Sequence, residues 1–180
     1  MPNITPLSEL YKTEHSETVL SQLETIFYSS SARQEFNSDA ERDHFRLKYF
    51  DWYRIHHADL VFVASNAHGE VLGYVCGTPN TNAAPELFEL HPWLVQLTPH
   101  FESFPAHLHI NLSETARGLG IGSSLTRVFE NSMKSRGICG IHIVTSPNAR
   151  NVGFYRKNSY NFEAVIQWKS AQLLFMGKQL

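Results

Sequence analysis

The chain has 180 residues, 42% hydrophobic and 12% aromatic, which suits one domain with a sizeable core. Fifteen Lys and Arg against 17 Asp and Glu give a net charge of −2, with a pI near 6.5 and the basic residues scattered; this excludes the electrostatic footprint of a nucleic-acid or anionic-membrane binder. No apolar run reaches the ~20 residues of a membrane span, and Met1 to Leu10 lacks a cationic segment followed by an apolar one, so the expected location is cytoplasmic.

A weak first strand is expected near Asn3 to Leu7. Val19, Leu20, Leu23, Ile26 and Phe27 recur at helical spacing and predict a helix from about Ser16 to Tyr28. Ser38-Asp39-Ala40-Glu41 has the form of a capping box, and Phe45, Tyr49, Trp52 and Tyr53 continue a second helix to about His56, with an aromatic stripe that reads as core. Leu60 to Ala64 and Val71 to Cys76, separated by Asn66-Ala67-His68-Gly69, predict an antiparallel hairpin. The stretch from about 79 to 105 carries five prolines and an apolar cluster, and is too long for a tight connection. It reads as an insertion with a helix near Pro85 to Leu97, serving either as a substrate-facing wall or as a cap over a sheet edge.

His107 to Leu112 is an alternating strand, followed by Arg117-Gly118-Leu119-Gly120-Ile121-Gly122 and a helix to Arg136 whose stripe is Ile121, Leu125, Val128, Phe129 and Met133, with Gly137 as C-cap. Strand, glycine turn and helix N-terminus together make an anion cradle, since glycines let backbone N–H groups approach a phosphate and the first helical turn adds free donors. The turn lacks the Gly-Lys-Ser/Thr ending of a P-loop, and no early βαβ unit exists for a dinucleotide fold. Ile138 to Thr145 then reads as a strand, Asn148 to Asn158 as a short helix carrying Phe154-Tyr155, and Phe162 to Trp168 and Leu173 to Met176 as closing strands. Cys76 and Cys139 fall inside predicted strands and read as buried small hydrophobes.

Arg117-x-x-Gly120-x-Gly122 resembles the acyl-CoA pyrophosphate signature of the GNAT superfamily of N-acyltransferases, and Asn148 to Tyr160 resembles that family's Asn-x-x-Ala-x-x-Phe-Tyr-x-x-x-Gly-Phe run. Asn151 replaces the Ala, Ser159-Tyr160 replaces Gly-Phe, and Leu119 and Ser123 stand where basic residues are common. The resemblance implies an α/β (α+β) GNAT fold over 1–180, with a central mixed, mostly antiparallel, splayed sheet flanked by helices. It further implies acetyl transfer from acetyl-CoA to a primary amine of a small molecule or protein, and a homodimer. Cofactor contacts would come from the backbone of Ile110, Asn111 and Leu112, from Arg117, Gly118, Leu119, Gly120, Ile121, Gly122 and Ser123, and from Asn148, which could equally be a helix cap.

The acid position falls on Tyr155, whose phenol, with an ordinary pKa of about 10, can protonate a departing thiolate; its alternative role is a packed aromatic. Where many members carry a base carboxylate, this chain has Ala106, His107 and His109. The histidines share one strand face, and either could serve as the base or be hydrogen-bonded within the sheet. Metal binding by that pair ranks lower, because no third ligand has recognisable spacing. Glu114 reads as a solvated loop residue.

A narrower likeness, carried by Val61 to Ala64, Gly73 to Pro79 and Pro105 to Leu112, is to the acetyltransferase-like domain related to that of O-GlcNAc hydrolases. That group includes members held to be non-catalytic, so the alternative is an acyl-CoA-binding or interaction domain without turnover.

Overall fold

A computed structural model describes residues 2–180. Seven strands form one mixed, mostly antiparallel, open sheet: β1 (Asn3–Pro6), β2 (Phe62–Ser65), β3 (Val71–Thr78), β4 (Ala106–Leu112), β5 (Gly140–Thr145), β6 (Phe162–Trp168) and β7 (Ala171–Gln179), in the order β1-β2-β3-β4-β5-β7-β6. β4 and β5 are the parallel pair, while β1/β2, β2/β3, β5/β7 and β6/β7 are antiparallel. Helices α1 (Leu7–Leu10), α2 (Ser16–Ser30), α3 (Asp39–Arg46), α4 (Trp52–His56), α5 (Pro85–Leu90), α6 (Ile121–Ser135) and α7 (Val152–Lys157) flank the sheet. The chain forms two compact units, one through Gly77 together with His109–Asn131, the other Thr78–Leu108 together with Ser132–Leu180.

In the first unit α2 buries Val19, Leu23, Ile26 and Phe27, the i, i+4, i+7, i+8 stripe of an amphipathic helix. Phe27 meets the rings of Phe45 and Phe50 at 5.5 and 6.2 Å, and Phe50 meets Tyr74 of β3 at 4.8 Å. Each such buried ring contributes about 1.5–3 kcal/mol by leaving water.

Ser38 caps α3 through its Oγ, which accepts from the Glu41 N–H at 3.2 Å, but the returning carboxylate takes the Asn37 N–H at 2.8 Å, one residue earlier than a capping box requires. The second predicted helix is not uniform. Leu47–Asp51 winds as a π-helical turn between α3 and α4, with the Trp52 N–H bonded to the Leu47 carbonyl. At that turn Asp51, 8% exposed, accepts from Arg46 Nε at 2.7 Å and Arg54 Nε at 2.6 Å. Arg46 also pairs with Glu24.

In the second unit the insertion closes on itself where Pro105 C=O accepts from the Thr81 N–H at 2.9 Å and its hydroxyl at 3.1 Å. The helix expected over Pro85 to Leu97 breaks at His91. Pro92 pushes that residue out of the α region (φ −132°), so α5 ends at Leu90 and Pro92–His100 continues as a 3₁₀ helix. The insertion's last turn covers a sheet face, not an edge. A side chain on Gly140 would meet the Ser103 carbonyl at 2.1 Å, and one on Gly177 would meet the Phe104 ring at 2.9 Å.

Cys76 is buried as expected, but Cys139 is exposed. β5 starts only at Gly140, which leaves the Cys139 thiol on the surface beside the Glu102 and Ser103 carbonyls at 3.6 and 3.7 Å.

Candidate functional site

The glycine turn in the first unit is built as an anion cradle needs. Gly118 and Gly120 both have φ +78°, a left-handed conformation that costs an L-residue about 1–2 kcal/mol, and the space a Cβ would occupy at either one is open. Ile121, 5% exposed, anchors the start of α6, while Leu119 is 71% exposed at the tip. The first hydrogen bond of the helix runs from the Ser124 N–H to the Gly120 carbonyl at 3.1 Å. The Ile121, Gly122 and Ser123 amides therefore have no intrahelical acceptor and emerge at the positive end of the helix dipole. Arg117, half-buried, is the cation of the turn. Such a set of donors fits a pyrophosphate.

β4 leads into this turn. Gly73 of β3 lets the strands approach closely, since a Cβ there would lie 2.6 Å from the Asn111 carbonyl. The Ser113 N–H bonds to the Leu72 carbonyl at 2.9 Å, so residues 111 and 113 direct their backbone groups to β3, and Ile110 and Leu112 direct theirs to the opposite edge. Of the three expected backbone contacts, Ile110 and Leu112 thus face away from β3. Asn111 also spends its side chain internally, donating from Nδ2 to Ser30 Oγ at 2.6 Å.

His109 is half-buried, and its Nε2 lies 3.1 Å from the Tyr53 hydroxyl, with the Tyr53 and Tyr49 rings edge-on to it at 5.1 and 5.6 Å. Burial holds the Tyr49 phenol above its ordinary pKa and the Tyr53 phenol well above. Both tyrosines read as core in the sequence. The π-helical turn, which carries Tyr49 and immediately precedes α4, has no sequence signature.

His107 belongs to the other unit and is 1% exposed, 4.8 Å from the ring of His142. His142 stacks between Phe101 and Phe175 at 5.0 and 4.7 Å, and its Nδ1 bonds to the Phe104 carbonyl at 2.7 Å. Desolvation pushes its pKa down to about 3, so it stays neutral and donates from Nδ1.

In the same unit Tyr155 sits on α7, 4% exposed, against the Tyr160 ring at 5.3 Å. The helix closes in a Schellman pattern. The Tyr160 N–H bonds back to the Tyr155 carbonyl at 3.1 Å, which requires Ser159 in the left-handed region, and its φ is +70°. The serine thus adopts the left-handed geometry for which glycine is the usual residue. Asn148 lies exposed in the turn before α7 and does not cap it, because the helix begins four residues later. Asn151 takes the N-cap position, with Oδ1 accepting from the Thr145 hydroxyl at 3.0 Å. Among the described residues no three His, Cys, Asp or Glu side chains group as a metal site, and no helix is long and apolar enough to cross a membrane.

The acetyltransferase (GNAT) family model matches residues 22–160, well over half of the chain and including both the glycine turn and the Tyr155 helix. The chain belongs to the GNAT family. This GNAT chain is also similar to solved structures at full length. SsHAT is 21% identical at a TM-score of 0.73, covering 99% of this chain and 98% of that one. Ard1 from Thermoplasma volcanium is 14% identical at 0.63 (99% and 97%), and Chaetomium thermophilum Naa20 in complex with a bisubstrate analogue is 17% identical at 0.58 (100% and 86%). At these identities the likeness is one of GNAT fold.

Proposed function

We propose that this GNAT protein transfers an acetyl group from acetyl-CoA to a primary amine, carried by a small molecule or a protein. The observation that carries the reading is the two-glycine turn opening onto the free amides of α6. The Arg117–Ser123 segment would hold the pyrophosphate of acetyl-CoA, the outward backbone groups of Ile110 and Leu112 the pantetheine arm, and exposed Asn148 a further hydrogen bond to it. The amine nitrogen attacks the thioester carbonyl, the C–S bond breaks, and sulfur leaves with the phenolic proton of Tyr155. We assign the base to His109, which is half-buried in the unit that carries the glycine turn, whereas His107 packs against His142.

Thermal shift with acetyl-CoA against CoA and ATP, then an amine panel with thiol detection, tests the reading. Tyr155→Phe should keep acetyl-CoA affinity and slow single-turnover transfer by about 10²- to 10⁴-fold, with recovery at higher pH as the thiolate leaves unaided. Unchanged rates at neutral pH would remove Tyr155 as the acid. The narrower likeness to the O-GlcNAc hydrolase-related domain, with no carboxylate at the start of β4, supports the second reading. Firm acetyl-CoA binding without transfer to any amine would select it. A homodimer is proposed on family grounds and is checked by sedimentation.

A further inference from the structure

We propose that Tyr53 is a positioning residue that selects which nitrogen of His109 is basic; this rests on the assignment of His109 as base. Tyr53 is fully buried, its phenol is held protonated by desolvation, and its hydroxyl lies 3.1 Å from His109 Nε2. A nitrogen facing a buried phenol is closed to substrate, so proton exchange falls to Nδ1. For neutral imidazole to accept there, the ring proton must sit on Nε2, with the phenol oxygen accepting from it.

Were the phenol O–H to donate to Nε2, the ring proton would sit on Nδ1 and block it; a basic Nδ1 therefore requires Nε2–H as the donor and the Tyr53 oxygen as the acceptor across the 3.1 Å contact. When the amine reacts, its surplus proton passes to Nδ1 while the electron pair of that N–H bond stays on the amine nitrogen. The resulting imidazolium keeps its Nε2–H on Tyr53.

The neighbouring elements fix this arrangement. Tyr53 follows the π-helical turn Leu47–Asp51, and Asp51 there is clamped by Arg46 and Arg54. Tyr49, on that turn, sets its ring perpendicular to the imidazole at 5.6 Å. The buried Cys76 thiol bonds to the Tyr49 carbonyl at 3.7 Å, and burial keeps it protonated. Tyr49, Tyr53 and Cys76, which the π-helical turn, α4 and β3 bring to His109, are each held protonated by burial.

The experiment is ¹⁵N NMR of the His109 ring in the full chain, paired with kinetics. Wild type should show the Nε2–H tautomer near neutral pH; an Nδ1–H tautomer would overturn the proposal whatever the variants do. Tyr53→Phe keeps the ring's packing, and should lose the tautomer bias and lower kcat at least about tenfold, within the about 10²- to 10⁴-fold that a general base supplies. KM for acetyl-CoA should not change, and the acidic limb of the pH–rate profile should move. A tautomer ratio and pH profile identical to wild type in Tyr53→Phe would refute the positioning role and leave the base assignment standing. Full activity and a flat profile in His109→Ala would instead remove the base, and with it any catalytic consequence of Tyr53.

Discussion

His142 should make this protein lose stability in mild acid. The imidazole is buried, stacked between two phenyl rings and pushed down to a pKa of about 3, whereas in the unfolded chain it titrates near 6.5. Between those values the unfolded state binds the extra proton, so stability rises with pH across the window; it is complete above about 6.5 and is lost as pH falls toward 3. At pH 5 the unfolded chain is about 1.5 pH units below its own pKa, which at 1.36 kcal/mol per unit costs the native state about 2 kcal/mol. Urea unfolding at pH 7 and pH 5, in wild type and in His142→Gln, isolates the contribution. The variant keeps an N–H donor toward Phe104 but cannot take a proton, and subtraction removes every other titrating group. Wild type should lose about 2 kcal/mol more than the variant between the two pH values. Equal losses would show that His142 does not carry the penalty and that the aromatic stack admits the charged ring.

Gly120→Ala should cost the ligand-free protein about 1 kcal/mol of left-handed strain and abolish the added stability from acetyl-CoA, about 2.7 kcal/mol at 100 times Kd. Because the readout is the difference with and without ligand, the strain cancels, and a wild-type shift would refute the cradle. Gly120→Val would add β-branching at φ +78° and confound folding with binding. Ser159→Gly should stabilise by about 0.5–1 kcal/mol in denaturant melts, by relieving a φ of +70° at some cost in chain entropy; no gain would mean that the serine sits there without strain. Asp51→Ala should destabilise by about 3 kcal/mol, the low end for a buried pair because Arg46 and Arg54 remain 22% and 28% exposed, and a loss below about 1 kcal/mol would reduce the clamp to a surface ion pair.

Features governed by neighbours in sequence were legible. Asn66 to Gly69 turns the β2/β3 hairpin with Gly69 at φ +79°, and Gly137 at φ +73° ends α6 with the Ile138 N–H on the Met133 carbonyl, as their residue types require. Spacing identified the glycine turn because its residues are contiguous. What escaped depends on partners far along the chain. His107 and His109 looked equivalent on one strand, yet their surroundings are set by His142 and by Tyr53, residues 35 and 56 positions away. The π-helical turn at Leu47–Asp51 inserts a residue into an otherwise regular period, and nothing in LKYFD announces it. The break at His91 was available from Pro92 and was overridden by the apolar cluster around it.

The glycine floor beneath the insertion ties the segment to the sheet it covers. Gly140 and Gly177 are bare because Ser103 and Phe104 press on them, and any Cβ would lift the cover. Removing residues 79–105 would therefore not yield a trimmed but otherwise intact chain. It would uncover His142 and the rings of Phe162 and Phe175 on a patch with no side chains of its own to shield it, the kind of surface along which copies of a protein adhere. The insertion and the glycines beneath it depend on each other: the glycines leave room for Ser103 and Phe104, and Phe104 covers the Phe162 and Phe175 rings that glycine cannot.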